Sequence, residues 1–249
     1  TASGGINYSD EKLLKKWFPQ YYDLGFRSLM ELQGTFWFWN KKEKDMQLYW
    51  GYWARHIEKI RFQTPLLEPY KNLEKLIKDK NYFIISTNAD GQLEKSDFDK
   101  NKIFSMQGNY GYLQCMTPCT DEIYESEEYI KKMTKSIENN RVSMDTVPRC
   151  PHCGNYLIPN LRCDDTFVEK PHMKNSEKYR DFLRENINKN IKGGGVMRRF
   201  FKFLVFSIII VTLSFGIYKF SNRYDFNIIY KNVDWSINTK GLEGAVSFD

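Results

Sequence analysis

Residues Tyr82 to Cys119 read YFIISTNADGQLEKSDFDKNKIFSMQGNYGYLQCMTPC, and the fold is decided there. The stretch opens on a short apolar run, Tyr82-Phe83-Ile84-Ile85, bounded by Ser, Thr, Asn, Asp and Gly, which predicts a buried strand ending in a polar loop. A second run, Ile103-Phe104-Ser105-Met106, ends in Gln107-Gly108. Upstream, Tyr70 to Lys80 is amphipathic with Leu73, Leu76 and Ile77 on one side, and Leu93 to Asp99 fits a short helix between the two runs. Helix followed by strand, repeated, is the step of a parallel sheet, so the expected fold is α/β and doubly wound, Rossmann-like. Chemistry in such sheets sits at strand ends.

Working outward, Cys115 and Cys119 follow the second run at once, and Cys150 and Cys153 form another close pair within Pro148-Arg149-Cys150-Pro151-His152-Cys153-Gly154. Four thiolates in two close pairs allow tetrahedral closure around zinc, and a closed site is structural rather than catalytic. The alternative is that these are small buried hydrophobes. Cys163 and His152 are spare ligand candidates, but the spacing favours the two pairs. The charged segment between them, Thr120 to Asp145, carries a helical portion at Tyr129 to Met133, and Ser176 to Asn190 reads as a polar helix covering the sheet.

From Asp10 to Tyr70 the chain is dense in aromatics and helical in texture. Tyr49 to Phe62 spaces apolar residues for a helix with one buried face, Arg55, Lys59 and Arg61 lying between them. His56 reads as a core or capping histidine more readily than as a substrate contact. Hydrophobic residues make up 41% and aromatics 16% of the chain, which excludes a disordered protein. The net charge of +6 is spread among mixed signs, so no nucleic-acid groove is called for. Five cysteines, an odd count, suit a reducing compartment, and the catalytic part is expected to be cytoplasmic.

The order Ser86-Thr87-Asn88-Ala89-Asp90-Gly91, Gln107-Gly108, Cys115-x-x-x-Cys119 and Cys150-x-x-Cys153 resembles the sirtuins, NAD-dependent protein deacylases and ADP-ribosyltransferases. In most of that family the second motif is His-Gly, with the histidine as general base. Gln107 in its place, with the run from Asn160 to Val168, is similar to the macrodomain-linked branch, class M. The resemblance covers roughly Thr1 to Ile191. It implies NAD and zinc as cofactors, and transfer of ADP-ribose to a protein acceptor, a lipoylated carrier protein or an associated macrodomain protein being the partner. It also implies Asn88, Asp90 and Gln107 as catalytic residues and Thr1, Ala2, Gly5, Ile6, Ser86 and Thr87 as further cofactor contacts. Asn88 would orient ribose hydroxyls or a water, and Asp90 would help hold the nicotinamide carboxamide. An amide has no useful basicity near neutral pH, so Gln107 cannot replace the imidazole as a base, which favours transfer over deacylation.

The family's Gly-Ala-Gly loop and the strand before it are not seen ahead of Thr1, and the true N-terminus is expected upstream. After the flexible break Lys192-Gly193-Gly194-Gly195, the basic run Met197 to Lys202 leads into Phe203 to Tyr218, which carries no charge. Counting Phe200 and Phe201, the segment 200–219 meets the ~17–25 residues that a spanning helix needs. The expected organisation is therefore a partial NAD-binding domain at 1–109, a zinc-ribbon module at 110–168, a return helix and linker at 169–195, a transmembrane helix at 196–220 and a tail at 221–249. The sheet is expected to be incomplete at both ends, with the C-terminal segment reading as a fusion or frameshift product. A degenerate sirtuin that only binds nucleotide or partner, a deacylase, and a membrane-anchored zinc-ribbon scaffold are the competing readings.

Overall fold

A computed structural model describes residues 6–39 and 41–192, all within one compact unit. The linker glycines 193–195, the hydrophobic segment 196–220 and the tail lie outside the described residues. Among the described residues no helix is long and apolar enough to cross a membrane.

The aromatic half begins with α1 (Glu11–Trp17), started by Asp10, whose carboxylate accepts from the Lys12 and Leu13 amides. Two further short helices follow, α2 (Pro19–Asp23) and α3 (Leu29–Trp37), the latter capped by Ser28 Oγ on the Glu31 amide. They pack around α4 (Glu43–Ile57). The sequence pattern gives α4 one buried face, but Tyr49, Trp50, Tyr52, Trp53, Ala54, His56 and Ile57 are all buried and only Arg55 among them is partly exposed. A helix that is apolar nearly all round is a core element. Here α4 lies between α3 and a helix from much later in the chain, α7 (Glu127–Lys135), and its Trp50 indole donates to Leu157 O at 3.2 Å.

The last turn of α4 runs on as a π-helical segment, Glu58–Gln63, closed by the Thr64 amide on Lys59 O. Next come α5 (Glu68–Ile77), the strand β1 (Ile84–Ser86), α6 (Gln92–Lys95), a 3-10 turn at Lys100–Lys102, and β2 (Ile103–Ser105). β1 and β2 pair in parallel, as expected, with Ile84 against Ile103 and Ser86 against Ser105. On one face Ile84 and Ile103 pack with Ile77, Leu93 and Phe98. On the other, Phe83 meets Tyr179 and Phe182 of the long helix α8 (Lys170–Lys192), so the pair is covered by helices on both faces. The helix expected over Leu93–Asp99 is a single turn, because Phe98 turns into this small core and the Asp99 amide bonds the Tyr82 hydroxyl.

Beyond β2 the chain changes from parallel to antiparallel pairing. β3 (Gly108–Cys115) lies between β4 (Ile123–Glu125) and β5 (Leu157–Leu161), with α7 packed on α4. The architecture is therefore α/β, a Rossmann-like parallel step joined to a small antiparallel module.

Gly51 shows how tightly α4 is seated: a Cβ built there would stand 1.8 Å from Asn140 O. In an open helix interior Gly to Ala gains ~1 kcal/mol. Here the added carbon meets backbone, so Gly51→Ala is expected instead to destabilise by about 1–3 kcal/mol, read as a lower denaturant midpoint at unchanged slope.

Candidate active site and metal centre

Two residues beyond the end of β1 stands Asn88, and two beyond β2 stands Gln107. Because Ser86 and Ser105 are in register and the Met106 amide donates to Ser86 O, both tips share one end of the sheet. Asn88 is fixed by its own amide on Ser86 Oγ at 3.1 Å and by its side-chain Nδ2, which donates to the Tyr70 hydroxyl at 2.7 Å. That hydroxyl in turn donates to Asp90 Oδ2 at 3.1 Å, while Asp90 Oδ1 accepts from the Gln92 amide and so starts α6. Burial raises the Asp90 carboxyl above the usual carboxylate range, opposed by the Gln92 amide and the Tyr70 hydroxyl. Burial likewise raises the Tyr70 phenol, which stays protonated. The structure thus brings Asn88 and Asp90 together through Tyr70, whereas Ser86 is buried and contributes a positioning hydroxyl rather than an exposed contact.

Beneath this loop the Arg61 guanidinium, supplied by the π-helical segment, pairs with Glu94 at 3.1 Å. A Cβ at Gly91 would fall 1.5 Å from Arg61 Nη1, and one at Gly111 3.0 Å from Arg61 Nη2. Gly91 also has φ +75°, a left-handed conformation that glycine adopts without strain. The sequence places Arg61 between apolar positions; the structure makes it the support under the Asp90 loop.

Gln107 is exposed, in the turn from β2 to β3. Its backbone is held by the residue just after β5: Gln107 O accepts from the Arg162 amide at 3.0 Å, and Arg162 Nε donates to Met106 O at 3.1 Å. Gly108 has φ +76°, and a Cβ there would meet Asn160 O at 2.1 Å. The Arg162 guanidinium lies over the Phe167 ring and pairs with Glu169 at 2.9 Å. Tyr70, Arg61 and Arg162 are residues of this candidate site that sequence reasoning misses. Arg162 has a signal, since it falls within the run from Asn160 to Val168; Tyr70 and Arg61 read only as parts of helices.

At the far end of β3, the Sγ atoms of Cys115, Cys119, Cys150 and Cys153 all lie within 4.8 Å of one another. Cys115 to Cys153 and Cys119 to Cys150 are each 3.6 Å. Tetrahedral zinc with bonds of ~2.3 Å separates its sulfurs by about 3.8 Å, so the four residues fit that ion with only small side-chain adjustment. The turn that presents Cys150 and Cys153 is closed by the Gly154 amide on Cys150 O at 2.9 Å, Gly154 taking φ +72°. His152 is drawn away to Glu122 at 2.8 Å, and Cys163 lies against the aromatic core.

His56 is a core residue, bonded to the Tyr52 and Tyr110 hydroxyls at 3.0 and 3.2 Å; burial lowers it to about 3, so it is neutral. Thr1, Ala2 and Gly5 lie outside the described residues, Ile6 packs against the aromatic core, and Thr87 is partly exposed beside Asn88. A cleft of about 820 Å³ lined by Lys16, Trp17, Arg55, Glu58, Lys59 and Asn140 contains no strand-tip residue.

No family model matches the chain. It is 29% identical over 162 residues to a protein ADP-ribosyltransferase of Staphylococcus aureus, covering 65% of this chain and 50% of that protein. It is 27% identical over 200 residues to a probable bifunctional ADP-ribose hydrolase/ADP-ribosyltransferase of Fusarium oxysporum f. sp. cubense, covering 76% and 32%. The chain thus spans half the length of the first of these relatives and about a third of the second. Among solved structures, a Sir2 homolog–NAD complex aligns at TM-score 0.38 and 15% identity over 72% of this chain and 73% of that one.

The fit of the four thiolates gives a direct test. The purified chain is expected to hold one equivalent of zinc by elemental analysis, and Cys150→Ser to lose it together with several degrees of melting temperature.

Proposed function

We infer that this chain, a relative of protein ADP-ribosyltransferases that carries the sirtuin order of strand-tip and cysteine motifs, transfers ADP-ribose from NAD to a protein acceptor. The reading is carried by one observation, the cluster of Asn88, Tyr70 and Asp90 at one strand tip beside the exposed Gln107 at the next. NAD would supply the electrophilic ribose carbon, with nicotinamide as the leaving group. Cleaving that bond places positive charge on the sugar, which oriented amide oxygens and a carboxylate stabilise. Asn88 is suited to hold a ribose hydroxyl, and Asp90 to face the nicotinamide side. Gln107, exposed and neutral at any pH, can hydrogen-bond an incoming acceptor but cannot take up its proton. That supports transfer over deacylation.

The acceptor we propose is a carrier protein bearing a lipoyl group, following the class M resemblance, with an exposed Gln107 leaving room for a protein partner. A binding module without turnover is the second reading, and the same assay separates the two. In the full chain, nicotinamide release should appear on adding NAD and rise with lipoylated carrier, which becomes labelled. Asn88→Ala is expected to lower release about a hundredfold or more while zinc content is unchanged. Tight NAD binding with no release from the parent would select the binding module instead.

A further inference from the structure

The Asn88 amide has two unlike ends, a donor and an acceptor, and the chemistry at the strand tip depends on which one faces outward. Tyr70 decides this. An ionised Asp90 can only accept, so the Tyr70 hydroxyl proton is committed to Asp90 Oδ2. The Tyr70 oxygen is then left with lone pairs alone, and what it receives is the Asn88 Nδ2 donor at 2.7 Å. Asn88 Oδ1 is thereby turned away from Tyr70, and it has no hydrogen-bond partner among the described residues. The outcome is an acceptor oxygen offered at the end of β1, which can take a ribose hydroxyl's hydrogen bond and turns the negative end of the amide dipole toward positive charge developing on the sugar.

We propose that Tyr70, on α5, is a positioning residue that fixes the Asn88 amide with its oxygen outward, and that the charge on Asp90 sets the direction of this hydrogen-bond relay. When Asp90 gains a proton it becomes a donor to Tyr70. The phenol proton then turns toward Asn88, and the amide must rotate to offer its oxygen inward, presenting a donor to the sugar. Transfer should therefore fall as pH drops through the Asp90 midpoint. The groups that face Asp90 are Tyr70 from α5, Tyr8 from the N-terminal segment, Tyr110 from β3, Glu94 and Lys95 from α6 and Arg61 from the π-helical segment. Burial raises the carboxyl first, and Glu94 adds to it; the Gln92 amide, Tyr70 and Arg61 oppose. Loss of the Tyr70 hydroxyl removes a donor to the carboxylate and should move the midpoint further up.

The proposal rests on the transferase reading for its consequence but not for its geometry, so the test reads both. With carboxyl-labelled Asp and side-chain-labelled Asn in the full chain, the Asp90 carboxyl and the Asn88 side-chain amide should titrate with one shared midpoint. In Tyr70→Phe the Asp90 midpoint should rise and the Asn88 amide should cease to follow it. Nicotinamide release is followed across the same pH range. The acid limb should share that midpoint in the parent, and Tyr70→Phe should lower kcat about tenfold with KM little changed. Asp90→Asn, which can donate to Tyr70 at every pH, should abolish the acid limb and stay at the low-pH rate. If the parent is inert but the two signals titrate together, the relay stands and the transferase reading falls. If the parent is active and the Asn88 amide ignores Asp90, the relay is overturned and the transferase reading stands.

Discussion

The pairing of β3 with β5 is the constraint on which both the metal centre and the strand tips depend. β3 begins at Gly108, in the Gln107 turn, and ends at Cys115, a candidate metal ligand, so one strand carries both ends. Its pairing with β5 runs from Gly108 against Leu161, through an irregularity before Leu113, to Leu113 against Pro159 and Cys115 against Leu157. Between them the buried Gln114 makes three side-chain hydrogen bonds: its Oε1 accepts from Asn160 Nδ2 and from the Val168 amide, and its Nε2 donates to Thr166 O. Asn160 bonds His172 in the first turn of α8 as well. Buried polar groups bonded to so many partners favour one arrangement of the strands, since any slip would strand several of them without partners.

Zinc held by the four cysteines would act on this frame from a distance. Closing four sulfurs around an ion would fix the Cys150 turn to the end of β3, and β5 leaves that turn to reach the Gln107 backbone through Arg162. The aromatic half contributes differently. Its core around α4 buries a neutral His56 among tyrosine hydroxyls, and Tyr110 of β3 is one of them. The same strand is therefore clamped by thiolates at one end and by an aromatic hydrogen-bond cluster near the other.

Much of this is legible in the residues. Short β-rich runs ending in polar loops reveal the parallel pair and the location of Asn88, Asp90 and Gln107, because strand periodicity and turn chemistry are local properties. Two close cysteine pairs identify the metal cluster, since ligand spacing is imposed by the ion. Groups whose role is set by tertiary contact are not legible in this way. Tyr70 belongs to an amphipathic helix pattern and Arg61 stands between apolar positions, yet the first reaches Asp90 and the second supports Gly91. The burial of α4 on nearly all sides is hidden for the same reason: its partners on the second side, α7 and β5, come from distant parts of the sequence.

The π-helical segment after α4 has a consequence for how this chain tolerates insertions and deletions. A π turn is, in effect, an α-helix carrying one extra residue. Deleting a residue between Glu58 and Arg61 would restore regular α hydrogen bonding and improve the helix taken alone. The wider turn already absorbs that residue, so the chain beyond it would keep nearly its present phase, well short of the ~100° step of a deletion from a regular α-helix. Arg61, which lies inside the irregular turn, would still be re-aimed, and the slot between Gly91 and Gly111 is too narrow to follow it, so its pairing with Glu94 would weaken. The irregular turn thus acts as a phase register: the length of the helix, more than the identity of its residues, sets where the guanidinium points.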